Sequence, residues 1–159
     1  MMSNKHLDLE KLTGQLKQIR AKDMMSDEVI TVKKDDSLAE VAELMIKKRI
    51  SGFPVLENGE IIGIITSNDL FLVMDMIKTG ELLQNDDTNS SQPSVNFAMS
   101  TDIVTVNPET NLDEIISLMK YRNIHTLPVM SQNKLVGVIG RRDIFKSFYD
   151  VIRNLIKQL

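Results

Sequence analysis

Apolar and polar positions along this chain follow two periods in turn, and the pattern runs twice. Val29–Val32 and Ile103–Val106 are short β-branched runs that predict strands. A helical period follows each: Leu38, Val41, Ala42 and Met45 in the first, Leu112, Ile115, Ile116 and Met119 in the second. Ser37 and Glu40 have the spacing of a capping box, in which the Ser hydroxyl accepts from the amide three residues on and the Glu reaches back. Asn111 with Glu114 is the matching N-cap. Next comes a predicted hairpin, with "FPVL" and "IIGII" flanking Asn58-Gly59, the dipeptide best suited to a turn that needs φ > 0. In the second copy Asn133 sits beside the turn. A last helix is predicted from near Ser67 and another from near Arg141. Ahead of all this, Leu9, Leu12, Leu16 and Ile19 line one face of a short helix.

The two patterns superpose without a gap. Residues 25–71 lie over residues 99–145 at a constant offset of 74, and 15 of the 47 pairs are identical. Ten of the other 32 pairs exchange one apolar residue for another, so the register is not chance, and one architecture must serve both copies. The expected fold is α/β of the α+β kind: two tandem units, each strand–helix–strand–strand–helix. Each copy spans about 55–60 residues, which buries too little apolar surface to be comfortable alone. The units are therefore expected to be pseudo-two-fold related, with their small sheets packed face to face over a shared core. The expected boundaries are an N-terminal helix in 1–20, a first unit in 21–79, a flexible polar linker in 80–93 and a second unit in 94–159.

Composition narrows the function. An apolar fraction of 42% and a charged fraction of 26% are those of a soluble globular protein. The net charge of −3 argues against a nucleic-acid binder. With no cysteine there is no disulfide framework, thiolate metal site or Cys nucleophile. No apolar run approaches the ~18 residues of a membrane span, and "MMSNKHLDLEKL" lacks the layout of a secretory signal. A cytoplasmic, microbial protein is expected, with no membrane partner.

The candidate chemistry sits where the last strand meets the last helix: "GIITSNDLF" (63–71) in the first copy and "GVIGRRDIF" (137–145) in the second. Gly63 permits close approach of a ligand or of a neighbouring backbone. Ser67 is placed to cap a helix whose positive end suits a phosphate, and Thr66 would add a hydroxyl donor. Asp69 can accept two hydrogen bonds, as a ribose diol requires. Plain helix capping and dipole compensation would equally explain Ser67 and Asp69. The second copy has Gly140 for Thr66 and Arg141-Arg142 for Ser67-Asn68. A lost hydroxyl bond to a charged phosphate costs about 1.5–3 kcal/mol, which Arg141 could offset by forking onto the phosphate. Otherwise the two arginines are solvated charges opposing a helix dipole.

The tandem units, with "G-x-x-T-x-x-D" after the last strand of the first and Gly140 for its Thr in the second, and with "AKDMMSDEVITV", "ISGFPVLENGEIIGIITSNDLF" and their second-copy counterparts, resemble the tandem CBS-domain pair, or Bateman module, over roughly residues 21–152. The resemblance implies a regulatory protein that binds an adenosine-containing ligand (AMP, ADP or ATP, S-adenosylmethionine or cyclic di-AMP) in clefts between the units. It implies no required cofactor and no catalysis. One cleft, A, would use Thr66, Ser67 and Asp69 with Ile103, Val104, Ile124, His125, Pro128 and Arg142. The other, B, would use Arg141 and Asp143 with Val29, Ile30, Ile50, Ser51 and Pro54. "IHTLPV" is similar to a stretch in the gamma subunit of AMP-activated protein kinase where the matching His faces nucleotide; His125 could instead be a half-buried strand residue. Cleft A is expected to be the tighter.

Three functions compete. One is an adenine-nucleotide sensor that signals to an unknown effector protein by conformational change. The second is a ligand-independent dimerisation or interaction module. The third is an enzyme, against which stands the lack of any nucleophile–base–orienter set. A zinc site is not expected, since it needs three or four clustered ligands and there is no second His near His125 and no Cys. Apolar stretches on the last helices, with Leu72, Met76, Phe148 and Ile152, point to a homodimer. The ten methionines read as adaptable packing.

Overall fold

The computed structural model describes residues 7–81 and 93–158. Helix α1 (Leu9–Gln18) begins at Asp8, whose carboxylate accepts from the amides of Glu10 and Lys11. A single turn, α2 (Ala21–Met24), leads into the first repeat, which holds α3 (Leu38–Lys48), β1 (Gly52–Glu57), β2 (Glu60–Thr66) and α4 (Ser67–Thr79). The second repeat follows the same order, with α5 (Val95–Ala98), α6 (Leu112–Tyr121), β3 (Thr126–Ser131), β4 (Lys134–Gly140) and α7 (Arg141–Lys157). Most of the polar linker, residues 82–92, lies outside the described residues.

The local rules hold where they are purely local. Ser37 and Glu40 make the reciprocal capping box, Oγ accepting at 3.1 Å and Oε2 at 2.9 Å. Asn111 accepts from the Glu114 amide at 2.9 Å. Both hairpins close through two-residue turns with positive φ, at Asn58-Gly59 and at Gln132-Asn133. Gly80, at φ 78, ends α4.

Each hairpin is a two-stranded antiparallel sheet with a bulge at the same place, after Val55 in one and after Val129 in the other. The predicted leading strands do not form. Val32 and Val106 each make a single parallel bridge, to Val55 and Val129. The reason is the proline one residue earlier on the partner strand. Val32 donates to the Pro54 carbonyl and accepts from Leu56. The preceding rung would need an amide hydrogen from Pro54, which has none. Pro128 stops the second ladder in the same way.

The compact units are not the sequence repeats. One unit, around β3–β4, joins the described residues up to Val29 to those from Val104 on. The other, around β1–β2, runs from Ile30 to Ile103. The chain thus passes from one unit to the other between Val29 and Ile30 and returns between Ile103 and Val104. Each unit has its own core. Phe53, Val55, Ile65, Val41, Val73 and Val95 fill the β1–β2 unit. Leu127, Val129, Ile139, Ile115, Met119 and Ala21 fill the β3–β4 unit, with Leu16 and Ile19 packed against them. Leu12 is buried, while Leu9 stays exposed.

The borrowed segment is fastened by paired backbone bonds. Ser26 and Val138 exchange N–H···O bonds of 3.0 and 3.1 Å, and Ile64 and Ser100 do so at 2.9 Å each way. The facing strand carries glycine in both cases. A Cβ on Gly63 would stand 2.7 Å from the Met99 sulfur and 3.0 Å from the Ser100 carbonyl oxygen; one on Gly137 would stand 2.5 Å from the Met25 sulfur and 3.0 Å from its Cβ. Of the two roles open to Gly63, the structure shows the approach of a neighbouring chain segment. Gly63→Ala and Gly137→Ala are each expected to lower stability by about 1–3 kcal/mol through overpacking. Gly14→Ala, with open space around it in α1, should gain up to about 1 kcal/mol. Urea unfolding midpoints measure all three.

Candidate functional site

The hairpin register builds a corner in each unit. Gly52 pairs with Thr66 and Thr126 with Gly140. The residues just before β1 and β3 are therefore set beside the first residues of α4 and α7. In the β1–β2 unit the corner collects Ile50, Ser51 and Pro54 with Thr66, Ser67 and Asp69, and the Ser67 amide donates to the Ser51 carbonyl at 2.8 Å. In the β3–β4 unit it collects Ile124, His125 and Pro128 with Arg141, Arg142 and Asp143.

The N-cap of α4 is Thr66 rather than Ser67, which is the first helical residue. The cause is Asp69, three residues in, whose Oδ2 accepts from the Thr66 amide at 2.7 Å and from Thr66 Oγ1 at 3.0 Å. The Thr66 hydroxyl is thus spent on Asp69, not held out as a phosphate donor. Asp143 does the same work in α7, Oδ2 accepting from the Gly140 amide at 2.7 Å, with no hydroxyl to help. In both aspartates capping engages Oδ2, while Oδ1 has no hydrogen-bond partner among the described residues.

Arg141 and His125, assigned from sequence to opposite clefts, touch: Arg141 Nη2 lies 2.5 Å from His125 Nε2. The Thr126–Gly140 pairing makes them neighbours. Arginine has only donors, so Nε2 must be the unprotonated ring nitrogen. Asn123, turned into the left-handed region at φ 52, places Oδ1 3.0 Å from the same nitrogen; with Nε2 accepting from Arg141, these two acceptors are in contact without a hydrogen bond. Burial first, and the Arg141 guanidinium second, hold the imidazole below its usual range near 6.5.

The apolar candidates divide at the points where the chain changes unit. Ile30 and Ile103 belong to the β1–β2 unit; Val29 and Val104 belong to the β3–β4 unit. Ile30 packs against the first core, and Val104 and Ile124 against the second. Pro54 and Pro128 are fully buried. The His125–Arg141 contact is the feature sequence reasoning missed. The signal was present: positions 125 and 141 align with 51 and 67, whose backbones the same register brings together. Among the described residues no cluster of His, Cys, Asp or Glu could hold a metal ion, and no helix is long and apolar enough to cross a membrane.

The sequence model of the CBS domain matches residues 21–75 and 94–150. The CBS domain-containing protein YhcV of Bacillus subtilis is 31% identical over 123 residues, 77% of this chain and 81% of that protein. Inosine-5'-monophosphate dehydrogenase of Korarchaeum cryptofilum is 32% identical over 127 residues, 79% of this chain but only 24% of that enzyme. Among solved structures, the CBS domain pair of protein MJ0100, in complex with 5'-methylthioadenosine and S-adenosyl-L-methionine, aligns with a TM-score of 0.70. It is 25% identical, and the alignment covers 83% of this chain and 97% of that one.

A proton titration tests the corner of the β3–β4 unit. The midpoint of His125, followed by NMR, should lie below 6.5, and Arg141→Met should move it part of the way back, since burial remains. A midpoint at or above 6.5 would contradict the contact. With the folded value lowered, the unfolded chain binds the proton first as pH falls. Stability should therefore rise with pH through the window between the lowered value and about 6.5.

Proposed function

The chain belongs to the CBS-domain family as a tandem pair, and from that premise we propose that it is a regulatory protein that binds an adenosine-containing small molecule and signals to another protein. One observation carries this reading. Both repeats put an aspartate at the third residue of the helix after the hairpin, with one carboxylate oxygen held by the N-cap and the other without a partner among the described residues. An oxygen fixed in this way, beside buried apolar residues, suits a ribose hydroxyl and a base. Support also comes from the MJ0100 pair, which holds two adenosine compounds. In this reading Asp69 and Asp143 take ribose. Ile30 and Ile50, and Val104 and Ile124, with the adjoining Val29 and Ile103, supply apolar contact to a base, whereas Pro54 and Pro128 are fully buried and offer a ligand no surface. Ser51, Ser67, His125, Arg141 and Arg142 face the 5' end. Regulation needs a ligand that binds two arrangements of the protein with different affinity.

Calorimetry with AMP, ADP, ATP, S-adenosylmethionine, 5'-methylthioadenosine, NAD and cyclic di-AMP tests the proposal. At least one should bind, and Asp69→Ala should weaken the tightest by about tenfold or more. No heat from any of them would leave the ligand-independent interaction module as the reading.

That second reading has its own observation. Phe71, Leu72, Met74 and Ile77 of α4 are exposed, as are Phe145, Phe148 and Tyr149 of α7. Met76 and Ile152, from the same predicted face, are half-buried. We infer that these helices meet a second copy. Light scattering should give twice the 18.0 kDa of one chain, falling to one chain in a Leu72→Glu/Phe148→Glu variant. A wild-type monomer at micromolar concentration would rule the dimer out.

A further inference from the structure

Resting on the reading of the two corners as adenosine sites, we propose that they are specialised. The β4–α7 corner takes an adenosine whose 5' group is a phosphate; the β2–α4 corner takes one whose 5' group carries no negative charge.

The hairpin registers are equivalent, so the difference lies in the residues at the corners. Ser51, Thr66, Ser67 and Asn68 on one corner become His125, Gly140, Arg141 and Arg142 on the other. In the hydroxyl corner Thr66 Oγ1 donates to Asp69 and the Ser67 amide to Ser51. The basic corner has neither bond. Among the described residues, no carboxylate lies within ion-pairing distance of Arg141 or Arg142, and the Arg141 amide makes no bond to His125 matching the one from Ser67 to Ser51. Arg141 instead donates to a neutral imidazole, a poor counterpart for a cation. A phosphate would accept from Arg141 and free His125 to take up a proton and donate as well.

Gly140 points the same way. The fold has no need of glycine there. Its φ is −106, which any residue adopts, and a Cβ would meet nothing closer than Asp143 Oδ2 at 3.7 Å and the His125 carbonyl at 3.9 Å. Gly63 and Gly137, by contrast, are required by close contacts. The missing side chain at Gly140 leaves room beside Asp143, His125 and Arg141, where a 5' phosphate would sit.

The experiment compares AMP with 5'-methylthioadenosine, which share base and ribose and differ at the 5' end. It uses the full chain, the variant Gly140→Thr/Arg141→Ser, which copies the other corner, and the reciprocal Ser67→Arg. The double variant should lose AMP affinity by about tenfold or more and keep 5'-methylthioadenosine; Ser67→Arg should gain AMP affinity. The titration midpoint of His125, one of two histidines, should rise with AMP and not with 5'-methylthioadenosine. Unchanged AMP affinity in the double variant, or an equal His125 response to both compounds, would overturn the specialisation while leaving the adenosine reading intact. Failure of both compounds to bind wild type would overturn the specialisation, and only failure of the whole calorimetric series would overturn the adenosine reading with it.

Discussion

In both units a methionine lies where a Cβ would otherwise stand on the facing strand. Met99 occupies that place over Gly63, and Met25 over Gly137. The contact lets a segment from the opposite repeat come close enough to exchange two backbone bonds with the hairpin. Without it, each repeat would be a two-stranded sheet with one or two helices, and an isolated hairpin is marginal in water. With it, α2 or α5 is drawn in and Ala21 or Val95 reaches the core, fully buried. The exchange resolves the difficulty that one repeat alone is too small to be comfortable. The repeat in the sequence and the compact unit in space are consequently different sets of residues.

The same hairpins set the chemistry. Bulge and turn fix a register in which the last residue of the second strand faces the first of its partner. That register lays the start of a long helix beside the chain that enters the sheet. The aspartate one turn along is first a structural residue, since its carboxylate bonds the N-cap amide. This role holds it in one orientation whether or not a ligand is bound. Capping and ribose binding, posed as alternatives from sequence, are compatible because they use different oxygens of one carboxylate.

Duplication then leaves two copies free to diverge at the few positions the fold does not constrain. Strand residues, capping aspartates and the close-contact glycines recur, because each is held by packing or by a backbone bond. Positions 51, 66, 67 and 68 and their counterparts lie at these corners, and here two arginines stand in place of Ser67 and Asn68. The family resemblance describes the scaffold; the residues at these corners carry what is particular to this chain.

Most of what depends on neighbours along the chain was legible in the sequence, although the N-cap at Thr66 and the single turns α2 and α5 were not. The 3.6-residue periods placed α3 and α6. Ser37-Glu40 and Asn111 placed their starts, and Asn58-Gly59 placed a turn. The gapless offset required one architecture twice. Tertiary structure alone decided what depends on residues far apart in sequence. It replaced the predicted leading strands with single bridges, because Pro54 and Pro128 lack the amide the next rung needs. It moved each leading segment to the other repeat's hairpin, an exchange no local pattern encodes because both hairpins offer the same glycine. It also set Arg141 against His125, sixteen residues apart, through a strand register. Periodicity predicts that register only within a hairpin, and it becomes chemistry only when both ends of the hairpin are folded.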